Sequence, residues 1–130
     1  MVIDTSAVLA LIRNEATAPD VLHALQSRQS LLMSTATYVE LFLVLDNAGD
    51  PAAAGRVDDL LAMLDVDMVD VTREQALVAR QAHRDFGRGN HRAKLNFGDC
   101  FSYALAKVRK EPLLFVGGDF GFTDVRPVLE

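Results

Sequence analysis

The chain is expected to form one α/β domain, a short parallel central sheet with helices on both faces. Two observations lead there. Apolar runs too short to be helices stand at 2–4, 31–33, 68–71 and 113–116, and segments with helical periodicity and capping signals separate each from the next. Strands separated by helices pair in parallel through right-handed crossovers, which puts helices over both faces and any ligand at the carboxyl ends of the strands. The length agrees: 130 residues, half of them apolar, suit one compact domain in which roughly two thirds of the unfolded surface leaves water.

Taken in order, the run from Val2 to Asp4 opens as a buried strand, and Thr5 and Ser6 supply capping hydroxyls for a helix through Ala7 to Arg13. A second helix runs from about Pro19 to Arg28, with proline in the first turn, where its missing N–H costs nothing. Leu31 to Met33 is the second strand. Ser34 and Thr35 then cap a long apolar helix from Ala36 to Ala48, closed by Gly49 as a left-handed residue. Asp50-Pro51 opens a fourth helix to about Leu64, with Leu60, Leu61 and Leu64 on its buried face. After a third strand, Met68 to Val71, the spacing of Thr72 and Gln75 is that of a capping box for a helix from Arg73 to about Phe86. Gly87 and Gly89 end it, and a polar, basic loop leads through Arg92 and Lys94 to a last helix from about Gly98 to Lys110. Pro112 stops that helix before the strand Leu113 to Val116.

The single cysteine, Cys100, cannot form an internal disulfide and points to a reducing, cytoplasmic setting. The first residues lack a basic n-region, and no apolar run approaches the ~20 residues of a membrane span, so neither secretion nor membrane insertion is expected. A net charge of −5, taken alone, argues against a nucleic-acid partner. The charge is unevenly placed, however. Met1 to Asp65 holds three basic residues against nine acidic ones, whereas Val66 to Glu130 holds ten against nine. Arg80, Arg84, Arg88, Arg92 and Lys94 fall within one stretch whose acid is Asp85. This stretch is either a solvated helix face or an RNA-phosphate contact.

Four acids occupy positions where the pattern asks for something else. Asp4 ends a buried strand at the ligand-binding rim; its alternative is helix N-cap, a task Thr5 and Ser6 could equally perform. Glu40 sits in a helix apolar nearly all round, with no lysine or arginine between Gln29 and Gly55. It is either paired or metal-bound, or it reaches solvent or its own helix's N-terminal amides. Asp99 begins another apolar helix, where the helix dipole alone would favour it. Asp119 follows the last strand, again at the carboxyl-end rim, where taken alone an ordinary turn aspartate is the readier reading. Taken together, the four converge on one edge of the sheet. Two carboxylates ~5 Å apart at an effective dielectric of about 20 repel by roughly 3 kcal/mol, so such a cluster calls for a hard divalent cation. Oxygen-only ligands select Mg²⁺ or Mn²⁺ over zinc. Walker, GxGxxG, GxSxG and HExxH patterns are absent from the sequence, and an aspartyl-nucleophile phosphatase would carry a second aspartate where Ser6 stands.

Four segments, Val2 to Ala7 (VIDTSA), Ser34 to Glu40 (STATYVE), Leu95 to Cys100 (LNFGDC) and Leu113 to Phe120 (LLFVGGDF) followed by Thr123-Asp124, resemble in order and spacing a PIN-domain ribonuclease, and more closely a VapC-type toxin of a bacterial toxin–antitoxin pair. The resemblance implies a PIN-like fold and an Mg²⁺-dependent endoribonuclease in which Asp4, Glu40 and Asp99 match the metal-binding acids, with Asp119 as the fourth carboxylate. Family members often carry an acid or asparagine directly after the glycine of the last motif, where this chain has Gly118. Thr5 and Ser6 would support the site by holding a water or a phosphate oxygen, and Arg84, Arg88, Arg92 and Lys94 would contact RNA. Attack in line on the phosphodiester would leave a 5′-phosphate and a 3′-hydroxyl. A VapB-type antitoxin and a homodimer are the implied partners. The competing readings are a non-catalytic PIN-like module that binds RNA or protein, and a phosphoacceptor signalling domain, which would need a lysine after a late strand that 113–120 lacks.

Overall fold

The computed structural model describes residues 1–27 and 30–129. Its elements are β1 (Val2–Ile3), α1 (Thr5–Ile12), α2 (Ala18–Gln26), β2 (Leu32–Ser34), α3 (Thr35–Asn47), α4 (Pro51–Met63), β3 (Asp67–Val69), α5 (Arg73–Phe86), α6 (Phe97–Arg109) and β4 (Leu113–Leu114), followed by a 3-10 turn at Phe120–Phe122. The four strands are parallel, in the order β3-β2-β1-β4. Two crossovers step outward from β1 to β3, and the third, through α5 and α6, carries the chain back past them to β4 on the far side of β1. Winding therefore reverses between β1 and β4. The crevice over their carboxyl ends is where an open parallel sheet takes ligands.

Alternation along the strands divides the core into two layers. Met1, Ile3, Leu31, Met33 and Leu114 pack with residues of α1 to α4, including Val8, Val21, Leu41 and Val57. Val2, Leu32 and Leu113 pack with α5 and α6 through Ala79, Ala82, Tyr103 and Leu105. Helices thus cover both faces, as the sequence pattern requires.

The departures from the expected boundaries have a common cause in capping. The first helix starts at Thr5 rather than Ala7 because Asp4 itself is the N-cap, accepting from the Ser6 N–H at 3.0 Å. β1 therefore ends at Ile3, and its partner β4 ends at Leu114 rather than Val116. Likewise Ser34 both ends β2 and caps α3, so β3, paired to it only as far as Val69, does not extend to Val71. The expected end of the second helix at Arg28 lies outside the described residues. Gly49 has φ +73°, the left-handed closure anticipated after α3. Thr72 accepts from the Gln75 N–H at 3.1 Å at the start of α5. No helix of the described residues is long and apolar enough to cross a membrane.

Candidate active site

Four acids from separate parts of the chain stand near the carboxyl ends of β1 and β4, close enough for three of them to act on the charge of the fourth, Asp99. Asp4 follows β1 directly and is only 2% exposed. One of its oxygens, Oδ2, accepts from the Ser6 N–H at 3.0 Å and the Ser6 hydroxyl at 2.7 Å, and the other, Oδ1, accepts from the Ser102 hydroxyl at 2.6 Å. The Ser6 oxygen in turn accepts from the Val116 N–H at 3.0 Å, which ties the exit of β4 to the start of α1. Asp4 is therefore the helix N-cap, the alternative weighed for it, and its buried carboxylate stands directly after β1.

Glu40 lies in the second turn of α3 and points across to the start of α6. Its Oε1 accepts from the Thr5 hydroxyl at 2.8 Å. A Cβ added at Gly98 would collide with its carboxylate, so any side chain at 98 would have to displace the end of Glu40. Burial pushes the Glu40 carboxyl above its usual range; the bond from Thr5 opposes this, and the nearby Asp4 charge adds to the rise.

Asp99 occupies the third position of α6 in a reciprocal capping box. Asn96 accepts from the Asp99 N–H at 2.9 Å, and Asp99 Oδ2 accepts from the Asn96 N–H at 3.0 Å. The helix-terminal role is thus real, and it occupies one oxygen. Burial raises the Asp99 carboxyl to about 7 against the pull of the Asn96 N–H, with the charges of Asp4, Glu40 and Asp119 adding to the rise. Those three charges place all four acids in one electrostatic neighbourhood. Asp119 is exposed between β4 and the 3-10 turn, and its side chain makes no capping bond.

Among the described residues no lysine, arginine or histidine lies within salt-bridge distance of any of the four acids. Nor do three His, Cys, Asp or Glu side chains among the described residues come together as a ready-made metal cage. The donor set still suits a hard cation. All donors are oxygens, and Glu40 Oε2, Asp99 Oδ1 and the Asp119 carboxylate accept no hydrogen bond from the described residues.

Thr5 and Ser6 stand beside the acids, but their hydroxyl protons go to Glu40 and Asp4 themselves rather than outward to a water or a phosphate oxygen. Arg84 lies in the last turn of α5, and Arg88, Arg92 and Lys94 lie on the loop that follows; all four are exposed and none is in an ion pair among the described residues. Arg92 is tied to the rim, its guanidinium 4.6 Å from the centre of the Phe122 ring, three residues beyond Asp119. The segment after Asp119 is anchored by Asp124, which accepts from the Tyr103 hydroxyl at 2.6 Å and from Lys107 at 3.0 Å. Burial alone would raise the Asp124 carboxyl, but these two donors outweigh it and hold it below its usual range. A separate cleft of about 390 Å³, lined by Ala76, Ala79, Phe97, Cys100 and Phe101 with Arg80 and His83, contains none of the four acids.

Sequence reasoning passed over Gly98, Asn96, Thr37 and Ser102. The Asn96/Asp99 spacing carries a legible capping signal, whereas two hydroxyls in apolar helices carry none.

The PIN domain family model matches residues 1–125. Ribonuclease VapC30 of Mycobacterium tuberculosis is 48% identical over 130 residues, covering 98% of each chain. Ribonuclease VapC28 of the same organism is 45% identical over 131 residues, covering all of this chain and 98% of that one. The chain belongs to the PIN domain family, in the group of the VapC ribonucleases. Among solved structures, VapC20 of M. tuberculosis, described as a Sarcin-Ricin loop cleaving toxin, superimposes with a TM-score of 0.70 at 25% identity over 97% of this chain and 98% of that one. VapBC2 of Rickettsia felis has the same fold, with a TM-score of 0.75 at 11% identity over 97% of this chain and 94% of that one.

Proposed function

We propose that the chain is an Mg²⁺-dependent endoribonuclease of the toxin–antitoxin kind, acting in the cytoplasm on RNA phosphodiester bonds. The observation that carries this reading is the four-acid crevice at the β1/β4 switch point, without a countercharge among the described residues. Asp4, Glu40 and Asp99 would hold the ion, with Asp119 completing the set from the exposed rim; Mn²⁺ has the same oxygen preference. When bound, a divalent ion activates water and neutralises charge developing on a phosphate.

The chain's own residues supply the rest. Ser6 and Ser102 hold Asp4 in a single orientation, Thr5 holds Glu40, and Asn96 holds Asp99. Asp119 is exposed, where a polymer substrate would reach it, and the exposed cations Arg84, Arg88, Arg92 and Lys94 offer contacts for the RNA backbone.

The names of the relatives, ribonucleases that include a described toxin, support the ribonuclease assignment, and a VapB-type antitoxin would be the inhibiting partner of such a toxin. Val39 and Leu43 on α3, 56% and 57% exposed, are apolar surface that the antitoxin or a second copy in a homodimer would cover.

The test is cleavage of structured RNA by purified, antitoxin-free protein. Cleavage that requires Mg²⁺ and stops with EDTA supports the proposal. Binding of RNA without cleavage at any divalent concentration would make the chain a non-catalytic module instead.

A further inference from the structure

Below the acids lies a second polar layer. Thr37 on α3 and Ser102 on α6 are both fully buried, with their hydroxyl oxygens 3.0 Å apart, and Ser102 donates to Asp4 at 2.6 Å. A serine hydroxyl carries one proton. Since that proton goes to Asp4, Ser102 can only accept from Thr37, and the three groups form a one-way chain, Thr37 to Ser102 to Asp4. Its placement follows helical spacing. Thr37 lies three residues before Glu40, and Ser102 lies three after Asp99, so each hydroxyl shares a helix face with an acid one turn away. The chain of hydroxyls therefore joins the three elements that carry Asp4, Glu40 and Asp99. Its neighbours on the two helices, Leu41, Ala104 and Leu105, are apolar and fully buried. A polar pair in such surroundings holds its geometry firmly when satisfied, and leaves a costly orphan when one member is removed.

We propose that Thr37 and Ser102 are positioning residues whose hydroxyl chain sets the orientation of Asp4 relative to Glu40 and Asp99, and through it the affinity of the crevice for a divalent cation. This rests on the metal-dependent reading above.

The experiment measures Mn²⁺ binding to the full chain by electron paramagnetic resonance, without RNA. It compares wild type, Asp4→Asn, Ser102→Ala, Thr37→Val and Thr37→Ser. Wild type should bind and Asp4→Asn should lose binding. Ser102→Ala and Thr37→Val should each weaken binding by about 10-fold or more, in line with other residues that support metal ligands, and Thr37→Ser, which keeps the hydroxyl, should stay within about 3-fold of wild type. If Ser102→Ala does not fold, the near-isosteric Thr37→Val set against Thr37→Ser decides alone. Wild-type affinity in both Ser102→Ala and Thr37→Val, or equal weakening by Val and Ser at 37, overturns the hydroxyl chain while leaving the metal reading intact. Absence of Mn²⁺ binding in wild type overturns both.

Discussion

The Glu40 carboxylate occupies the space that a side chain at Gly98 would fill. Glutamate and glycine come from different helices, α3 and α6, and their contact brings the second acid over the turn that carries Asp99. Gly98→Ala should therefore displace Glu40 while suiting the helix itself, since alanine is favoured over glycine in a helix by about 1 kcal/mol. The expected result is RNA cleavage reduced on the order of 100-fold, the scale of a misplaced catalytic group, with the melting temperature unchanged or slightly raised. Full activity in Gly98→Ala would show that Glu40 does not need its observed position.

Asp99 gives a pH dependence of defined sign. Its carboxyl titrates near 7 in the folded chain against 3.8 ordinarily, so between those values the folded state holds a proton that the unfolded state has lost. Stability should fall as pH rises through this window, and Glu40, also raised, adds in the same direction. In EDTA, thermal melts from pH 5 to 8 should show this decline, and Asp99→Asn should remove much of it. A wild-type profile that is flat or rises with pH would contradict the burial and charge assigned to Asp99.

The exposed cations should act through RNA phosphates. Replacing Arg88, Arg92 and Lys94 with alanine should weaken RNA binding and reduce the slope of log affinity against log salt, by about 0.7 for each single-strand phosphate that is no longer neutralised. An unchanged slope would return this stretch to an ordinary solvated face.

Cys100 should be inert in the native protein. Its thiol is buried, its proton is held up to about 11 by burial and by the charge of Asp99, and the thiolate is the reactive form. Iodoacetamide at pH 8 should label it quickly in denaturant and slowly without. Equally fast labelling of the folded chain would mean that the start of α6 opens readily.

The order of elements and the parallel sheet were legible from local signals, because strand length, helical periodicity and caps each act over a few residues. The strand order β3-β2-β1-β4 brings together residues that local signals do not relate. Ser102 and Asp4 meet across 98 positions, and Thr37 and Ser102 across 65. A buried serine in an apolar helix looks like any small residue until its partner is known. Val39 and Leu43 show the same limit from the other side. The α3 sequence is apolar nearly all round, yet neighbouring helices cover only part of it, and these two residues face outward.

Asp4 is the residue on which a metal-dependent active site in this crevice depends most. Asparagine is an equally good helix N-cap, and a serine hydroxyl can turn to accept from its NH2, so Asp4→Asn should keep the fold while removing the charge of this buried carboxylate. The decisive measurement is the rate of RNA cleavage by this variant and by wild type at saturating Mg²⁺, both purified free of antitoxin. Loss of cleavage in a folded Asp4→Asn protein, with Mg²⁺-dependent cleavage by wild type, is the predicted result. Cleavage by the variant at the wild-type rate would contradict an active site built on Asp4.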